Sequence, residues 1–486
     1  MTKHPSKSLL MNSSDYGNLF AVTQTPPKRI LLISCYELGH QPLGLAMPLG
    51  MLKQKGFHAD TMDVSVEPFD ADRALRAEFI GISTPMHTAL RIGVQIAGQI
   101  RKLNQGCHIC FYGLYASLNS EYLLDGIADS VIGGEFEEAL VALIESVCSS
   151  SPVSVEGVAV KGETAQPVLE RLEFTTPERG PLPSLDKYAR LEIKGEERLA
   201  GYVEASRGCL HSCTHCPIPP VYNGRFFIVA AGVVIEDVRR LVQSGARHIT
   251  FGDPDFLNGP GHSLKVARAL HEEFPHLTFD FTAKVEHLLK HGSLLGEFAA
   301  QGCIFIVSAF ESMSGTVLSR LDKGHTREDM KKAVRLAREA GITLRPTWVA
   351  FTPWTTVGGY IDMLEFVESE GLIDQVDPVQ YSIRLLIPPG SLLLSMPETR
   401  QWLGPLVQDD FSHTWRHPDP RMDRLHEQVT ELVEHDAMNG EDASSTFYRV
   451  RELAYATLGS GGPPAQRCGL PGMRLRPPRL TEAWFC

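Results

Sequence analysis

Three cysteines, Cys209, Cys213 and Cys216, fall within eight positions of the stretch EASRGCLHSCTHCPIPPVYNGRF (204–226). Soft thiolates at this density select zinc or an iron–sulfur cluster. A structural zinc site draws four protein ligands, commonly from two separated pairs, and no second pair stands nearby. The alternative that this leaves open is a Cys3His zinc loop completed by His211 or His215. Three thiolates on a cubane of four irons leave one iron free to bind a small molecule, so the pattern points to chemistry at a cluster rather than electron relay alone.

Such a loop has to be carried by something stiff. It follows the apolar run YVEAS (202–206), and from there strand-like and helix-like stretches alternate. Strands are expected at 202–206, 248–251, 278–282, 304–309, 343–349 and 379–383. Helical periodicity fills the gaps, as in VVIEDVRRLVQSG and REDMKKAVRLAREAG. The pattern predicts a partial or full barrel of parallel strands over 201–395, with function at the carboxyl ends of the strands.

A second alternation precedes it. RILLIS, HADTMDVS, FIGIST, CHICFYG and SVIGG read as five strands with crossover helices over 29–148, a doubly wound domain whose ligands bind at its strand ends. The whole is therefore α/β. Residues 1–28 read as a mobile leader, 149–200 as a linker rich in Pro and Gly, 396–460 as a helical region and 461–486 as an extended tail.

The spacing Cys209-x3-Cys213-x2-Cys216 after a first barrel strand resembles the radical S-adenosylmethionine superfamily, and 29–148 looks like the cobalamin-binding-type domain found in front of many members. The resemblance implies a 4Fe-4S cluster on the three cysteines. It also implies S-adenosylmethionine chelated to the open iron, and reductive cleavage of its sulfonium, usually to a 5'-deoxyadenosyl radical. It further implies an electron donor such as flavodoxin or ferredoxin. His215 occupies a position that is often aromatic in the superfamily and offers a planar side chain to adenine.

Other expectations rest on strand ends. In ITFGDPDFLNG, Asp253 and Asp255 stand where relatives receive the methionine ammonium, the bland alternative being an Asp-Pro turn. Ser308 and Glu311, in IVSAFESMSG, match positions facing the ribose or carboxylate of the cofactor, although Glu311 can instead cap a helix. Arg345 sits in an apolar strand where an unpaired charge is costly, so it requires a carboxylate from the ligand or from the protein, and Arg384 repeats the device. In the first domain GHQPLG, FYGLYAS and GGEFEEA take strand-end positions, but no Asp-x-His-x-x-Gly motif supplies an axial His. Enzymes of this kind that hold cobalamin without that His, and others that keep only the fold, both stay possible on this reading.

In detail the chain is most similar to the radical proteins named for a Cys-Sec-Ala-Glu-Pro or Cys-Cys-Ala-Glu-Pro tail, on TFGDPDFLNG, PVQYSIRLLIPPGS and the ending RLTEAWFC. This resemblance implies a selenocysteine after Cys486. It also admits aminocarboxypropyl transfer to arsenite or another thiophilic acceptor, with Cys468 and Cys486 as anchors. A sensor that holds cobalamin or a cluster without turnover is the third reading, beside the leading one of a small-molecule-modifying enzyme.

A net charge of -12 with no basic face argues against general nucleic-acid binding, and no apolar run suits a signal peptide or membrane span. Ten cysteines scattered through 486 residues do not make a secreted disulfide framework, which favours a cytoplasmic setting.

Overall fold

The computed structural model describes residues 29–149, 154–459 and 476–481. The first sheet is built from β1 (Ile30–Ser34), β2 (Ala59–Asp63), β3 (Phe79–Ser83), β4 (His108–Tyr112), β5 (Ser130–Ile132) and β6 (Val158–Val160), in the order 2-1-3-4-5-6. The first five run parallel, while β6 adds an antiparallel edge from a stretch expected to be irregular. Strands β1 and β3 are buried along their whole length because helices cover both faces. The order reverses between β1 and β3, which opens a crevice at their carboxyl ends.

The second sheet contains β7 (Arg190–Ile193), β8 (Glu196–Val203), β11 (His248–Phe251), β12 (Thr278–Thr282), β13 (Cys303–Glu311), β14 (Thr343–Trp348) and β17 (Arg479–Leu480), in the order 14-13-12-11-8-7-17. Strands β8 and β11 to β14 are parallel, and β7 and β17 are antiparallel additions. The sheet is a partial barrel. The sixth parallel strand expected at 379–383 is a 3-10 turn, Pro378–Tyr381, with a single bridge from Phe351 to Arg384. Pro378 cannot donate to a ladder, which is the local reason that the apolar pattern failed as a guide here.

Period-two alternation sorts the barrel faces. On β12, Phe279 and Phe281 pack with Phe251, Phe256 and Phe298 under the helices, whereas Asp280 on the other face accepts from Thr250 and meets His248 at 2.8 Å. Two further pairs, β9 (Ser206–Gly208) with β10 (Phe226–Ile228) and β15 (Leu403–Val407) with β16 (Ser412–Trp415), are short hairpin stems. Helices Pro420–Met438 and Ala443–Leu458, the expected amphipathic pair, lie against the barrel, where the buried Arg451 pairs with Glu365 at 2.8 Å.

The two domains are joined by more than the chain. Arg179 is a bidentate partner of Asp237 at 2.7 and 2.8 Å, and also donates to Gln41 Oε1 and to the Tyr202 carbonyl. One buried guanidinium thus ties the first domain, the connecting segment and the barrel together. No helix among the described residues is long and apolar enough to cross a membrane.

Candidate active site

The cysteine loop springs from the β9–β10 stem. Gly208 has φ +73°, and a Cβ there would lie 2.4 Å from the Arg225 carbonyl and 2.6 Å from the Tyr222 ring, so only glycine passes. The far side of the loop is docked on the turn after β13. Thr214 N donates to the Leu321 carbonyl at 3.2 Å, Thr214 Oγ1 to that of Arg320 at 2.7 Å, and Ser212 Oγ to Asp322 at 2.7 Å.

Cys209, Cys213 and Cys216 are free thiols in this loop. Burial, reinforced by the neighbouring thiols, raises Cys209 and pushes Cys216 up to about 12. Such thiols ionise only when a metal takes the place of the proton. Of the remaining described cysteines, Cys110, Cys148 and Cys303 lie on strands or a helix of the two domains, and Cys35 and Cys107 adjoin strands β1 and β4. The two histidines of the loop are engaged elsewhere. His211 lies 3.5 Å from Asp255 and 3.2 Å from Lys284 Nζ, and His215 lies 3.4 Å from Glu311. Among the described residues the donor set is therefore three thiols with no fourth, which fits a 4Fe-4S cluster with one open iron and disfavours Cys3His zinc.

Glu311 ends β13 with φ +63°, strained for a glutamate. It is buried, and its Oε1 meets Lys323 Nζ at 3.0 Å. Burial pushes the Glu311 carboxyl up, but Lys323 and His215 outweigh it and hold the group well below the usual carboxylate range. Burial likewise pulls the Lys323 ammonium down, and Glu311 with Cys213 and Cys216 more than compensates. A strained carboxylate, an ammonium and an imidazole thus meet beside two of the cluster cysteines. Of these, sequence reasoning missed Lys323, which sits in the polar turn LDKGHT with no local signal to mark it.

The other expected residues are placed differently. Asp253 accepts from Ala205 N at 2.9 Å and Ser206 Oγ at 2.6 Å. Burial, only partly offset by these donors, pushes its carboxyl up to about 7. Asp255 accepts from Leu257 N and Lys284 N and meets His287 at 2.9 Å. Burial raises it, yet the contacts with His211 and His287 leave it lowered. Both aspartates thus bind the chain's own donors. Ser308 donates to the Ala283 carbonyl at 2.8 Å and is fully buried. Arg345 was expected to meet a carboxylate of either a ligand or the protein. Its guanidinium pairs with Asp377 at 2.7 Å and donates to the Pro478 carbonyl, a protein acid having supplied the charge that the buried strand demanded. Arg384 finds Asp423 at 2.9 Å and covers the Trp415 ring. Cys468 and Cys486 lie outside the described residues.

Between the first sheet and the barrel lies a cavity of about 230 Å³, lined among others by Glu37, Met86, Phe136, Tyr202, Arg207 and Tyr222. Gly44, Gly113, Gly134, Gly208 and Gly252 are among its lining residues. A Cβ on Gly44 would lie 2.3 Å from Ser83 Oγ, and one on Gly134, at φ +74°, would lie 2.1 Å from the Val168 carbonyl. No His lines the cavity among the described residues. A crevice over parallel strand ends, lined by glycines and apolar side chains together with Glu37, Glu204 and Arg207, fits a macrocycle bound without a protein imidazole.

The model of the radical SAM superfamily matches residues 203–352, and that of the B12 binding domain matches 29–144. The chain is a radical S-adenosylmethionine enzyme. A protein of Methanocaldococcus jannaschii named provisionally as a methylthiotransferase is 23% identical over 74% of this chain and 79% of its own length. The tRNA-2-methylthio-N(6)-dimethylallyladenosine synthase of Chlorobium limicola is 28% identical, and the chain spans 46% of its length. Among solved structures, the cobalamin-dependent S-adenosylmethionine radical enzyme OxsB, with aqua-cobalamin and S-adenosylmethionine bound, shares the fold at TM-score 0.68 and 16% identity, over 88% of this chain and 73% of that one. The methyltransferase TsrM of Kitasatospora setae shares it at TM-score 0.59 and 18% identity, over 71% of each chain. The radical SAM match implies a 4Fe-4S cluster and S-adenosylmethionine, and the B12 binding domain match supports cobalamin. The tail-defined selenoprotein subfamily finds no support beyond this broader membership.

Proposed function

We propose that this enzyme transfers a carbon group from S-adenosylmethionine to a small molecule held between the strand ends of the first domain and the cysteine loop. The observation that carries the reading is the shared cavity. Glu37, Met86 and Phe136 line it from the first domain, and Arg207, Gly208 and Tyr222 from the flanks of the cysteine loop. A group moving between the two cofactors would cross this crevice, and the relatives named as methyltransferases and methylthiotransferases support a one-carbon or sulfur-linked group.

The reduced cluster supplies the electron that splits the sulfonium. The chain supplies the rest. Glu311 and Lys323 hold the ammonium and carboxylate of the methionine end, and His215, 3.4 Å from Glu311, offers its planar ring to the adenine. Asp253 and Asp255 fix the loop instead of touching the cofactor, and the walls of the cavity exclude water. An external one-electron donor of the flavodoxin or ferredoxin type completes the cycle.

The test is an anaerobic assay of the reduced holoenzyme with S-adenosylmethionine, read by mass spectrometry. S-adenosylhomocysteine or 5'-deoxyadenosine, stimulated by a low-molecular-weight cell fraction and not by tRNA or ribosomes, is the expected result. Stimulation by tRNA or ribosomes alone overturns the small-molecule reading. Methylthioadenosine as the only product would replace it with aminocarboxypropyl transfer, and no product at all would leave a sensor.

A further inference from the structure

The cysteine loop is held on both sides by one carboxylate of the other domain, through Arg207 on β9 and Tyr222 at the end of the helix Ile218–Tyr222. Tyr222, six residues after Cys216, donates from its hydroxyl to Glu135 Oε1 at 2.9 Å. Arg207, two residues before Cys209, lies 3.5 Å from Glu135 Oε2, 2.5 Å from Glu137 and 2.8 Å from Glu204. Glu135 and Glu137 are fully buried, and the Arg207 side chain is 9% exposed. Glu135 itself is set by the first domain, since it follows β5 and its N–H donates to the Val168 carbonyl at 2.8 Å.

Arg207, Glu204 and Tyr222 of this group face the cavity, and Glu135 lies behind its wall. Gly134 and Phe136, on either side of Glu135, line it together with Arg207 and Tyr222. A ligand filling the cavity cannot avoid the clamp. Buried ion clusters of this kind have few arrangements, because an unpaired charge there is expensive, so displacement of one member is passed on to the others.

We propose that Glu135 is a positioning residue that couples occupancy of the cobalamin crevice to the geometry of the cysteine loop. Cobalamin settling against Phe136 and Gly134 sets Glu135. Glu135 then sets Arg207 on the entering side and Tyr222 on the leaving one, and through them the open iron and its affinity for S-adenosylmethionine. Linkage makes the effect reciprocal, S-adenosylmethionine changing cobalamin affinity by the same factor. The proposal rests on the cluster and cofactor assignment given above.

The test measures S-adenosylmethionine affinity by anaerobic equilibrium dialysis on cluster-loaded enzyme, with and without hydroxocobalamin, and records 57Fe Mössbauer spectra of the same samples. In wild type, hydroxocobalamin is expected to shift the affinity about fivefold or more, within the usual range of coupling energies, and to change the iron quadrupole splitting. In Glu135→Gln both responses collapse, while hydroxocobalamin still binds. Tyr222→Phe keeps the ion cluster and lowers the response by part, which guards against a Glu135 variant that folds poorly. No coupling in wild type, or full coupling in Glu135→Gln, overturns the proposal. Iron and sulfide content of the wild type tests the underlying cluster assignment separately.

Discussion

The Lys323 ammonium and the Glu311 carboxylate meet at 3.0 Å behind the cysteine loop, with side chains 3% and 8% exposed. An ion pair so completely removed from water is stable only while both members are present, and the strained backbone of Glu311 adds to the burden on its partner.

Lys323→Met therefore leaves a buried carboxylate with the His215 imidazole as its remaining side-chain partner. Stability is expected to fall by about 3 to 5 kcal/mol, with recovery in the double variant Lys323→Met, Glu311→Met. Denaturant melts of the three proteins measure this. Glu311→Gln, which keeps the shape, should bind S-adenosylmethionine roughly ten- to a hundredfold more weakly by dialysis. Unchanged affinity would return the pair to a purely structural role.

Replacing Cys209, Cys213 and Cys216 together by Ala should give a colourless protein whose circular dichroism is that of the wild type. The loop hangs from a short hairpin stem, and the phenylalanine core of the barrel is built from other elements. Retention of iron and sulfide in this variant would place the ligands elsewhere.

Asp255 joins the cysteine loop to the barrel through His211 on one side and His287 on the other. Asp255→Asn puts an amide donor against N–H groups, a cost of about 1 to 3 kcal/mol at a buried site. The reconstituted cluster should then lose iron to a chelator faster than wild type, with Asp253→Asn as the comparison. Equal rates in wild type and Asp255→Asn would show that this anchor does not hold the loop.

Burial, together with Asp63 and Glu204, pushes the Glu37 carboxyl up to about 8, whereas an unfolded chain titrates it near 4.5. The folded protein thus binds an extra proton between these values. The stability that goes with it is full below about pH 4.5 and is lost as pH rises through about 8. Glu37→Gln removes the linked proton, so its melting temperature should fall less than that of wild type between pH 5 and 8. Parallel curves in scanning calorimetry would refute the assignment.

The candidate cluster site was legible in sequence because its three cysteines lie within eight positions of one glycine-bounded loop. Its supports were not. Lys323, His287 and Glu135 reach the loop across 107, 71 and 74 residues, counted from Cys216 or Cys209, and a charged residue in a turn looks the same whether it faces solvent or a thiolate. The strand pattern was readable wherever an apolar run lay between helices, which gave the five parallel strands of each sheet. It misled at 379–383, where the same apolar composition packs as a 3-10 turn. Arg345 and Arg384 were correctly marked as needing acids, but which acid depended on chain folding back from Asp377 and Asp423.

Strand β17 lies beside β7, and Arg479 pairs there with Glu192 across 287 residues. During synthesis at about 5 to 20 residues per second, roughly fifteen to sixty seconds separate the emergence of these two partners from the ribosome. Through that interval the outer edge of β7 offers unpaired backbone to any passing chain, although its cysteine loop and the rest of the barrel have already been made. The molecule is thus most exposed to misassembly late in its birth, and chaperone dependence should concentrate in that window.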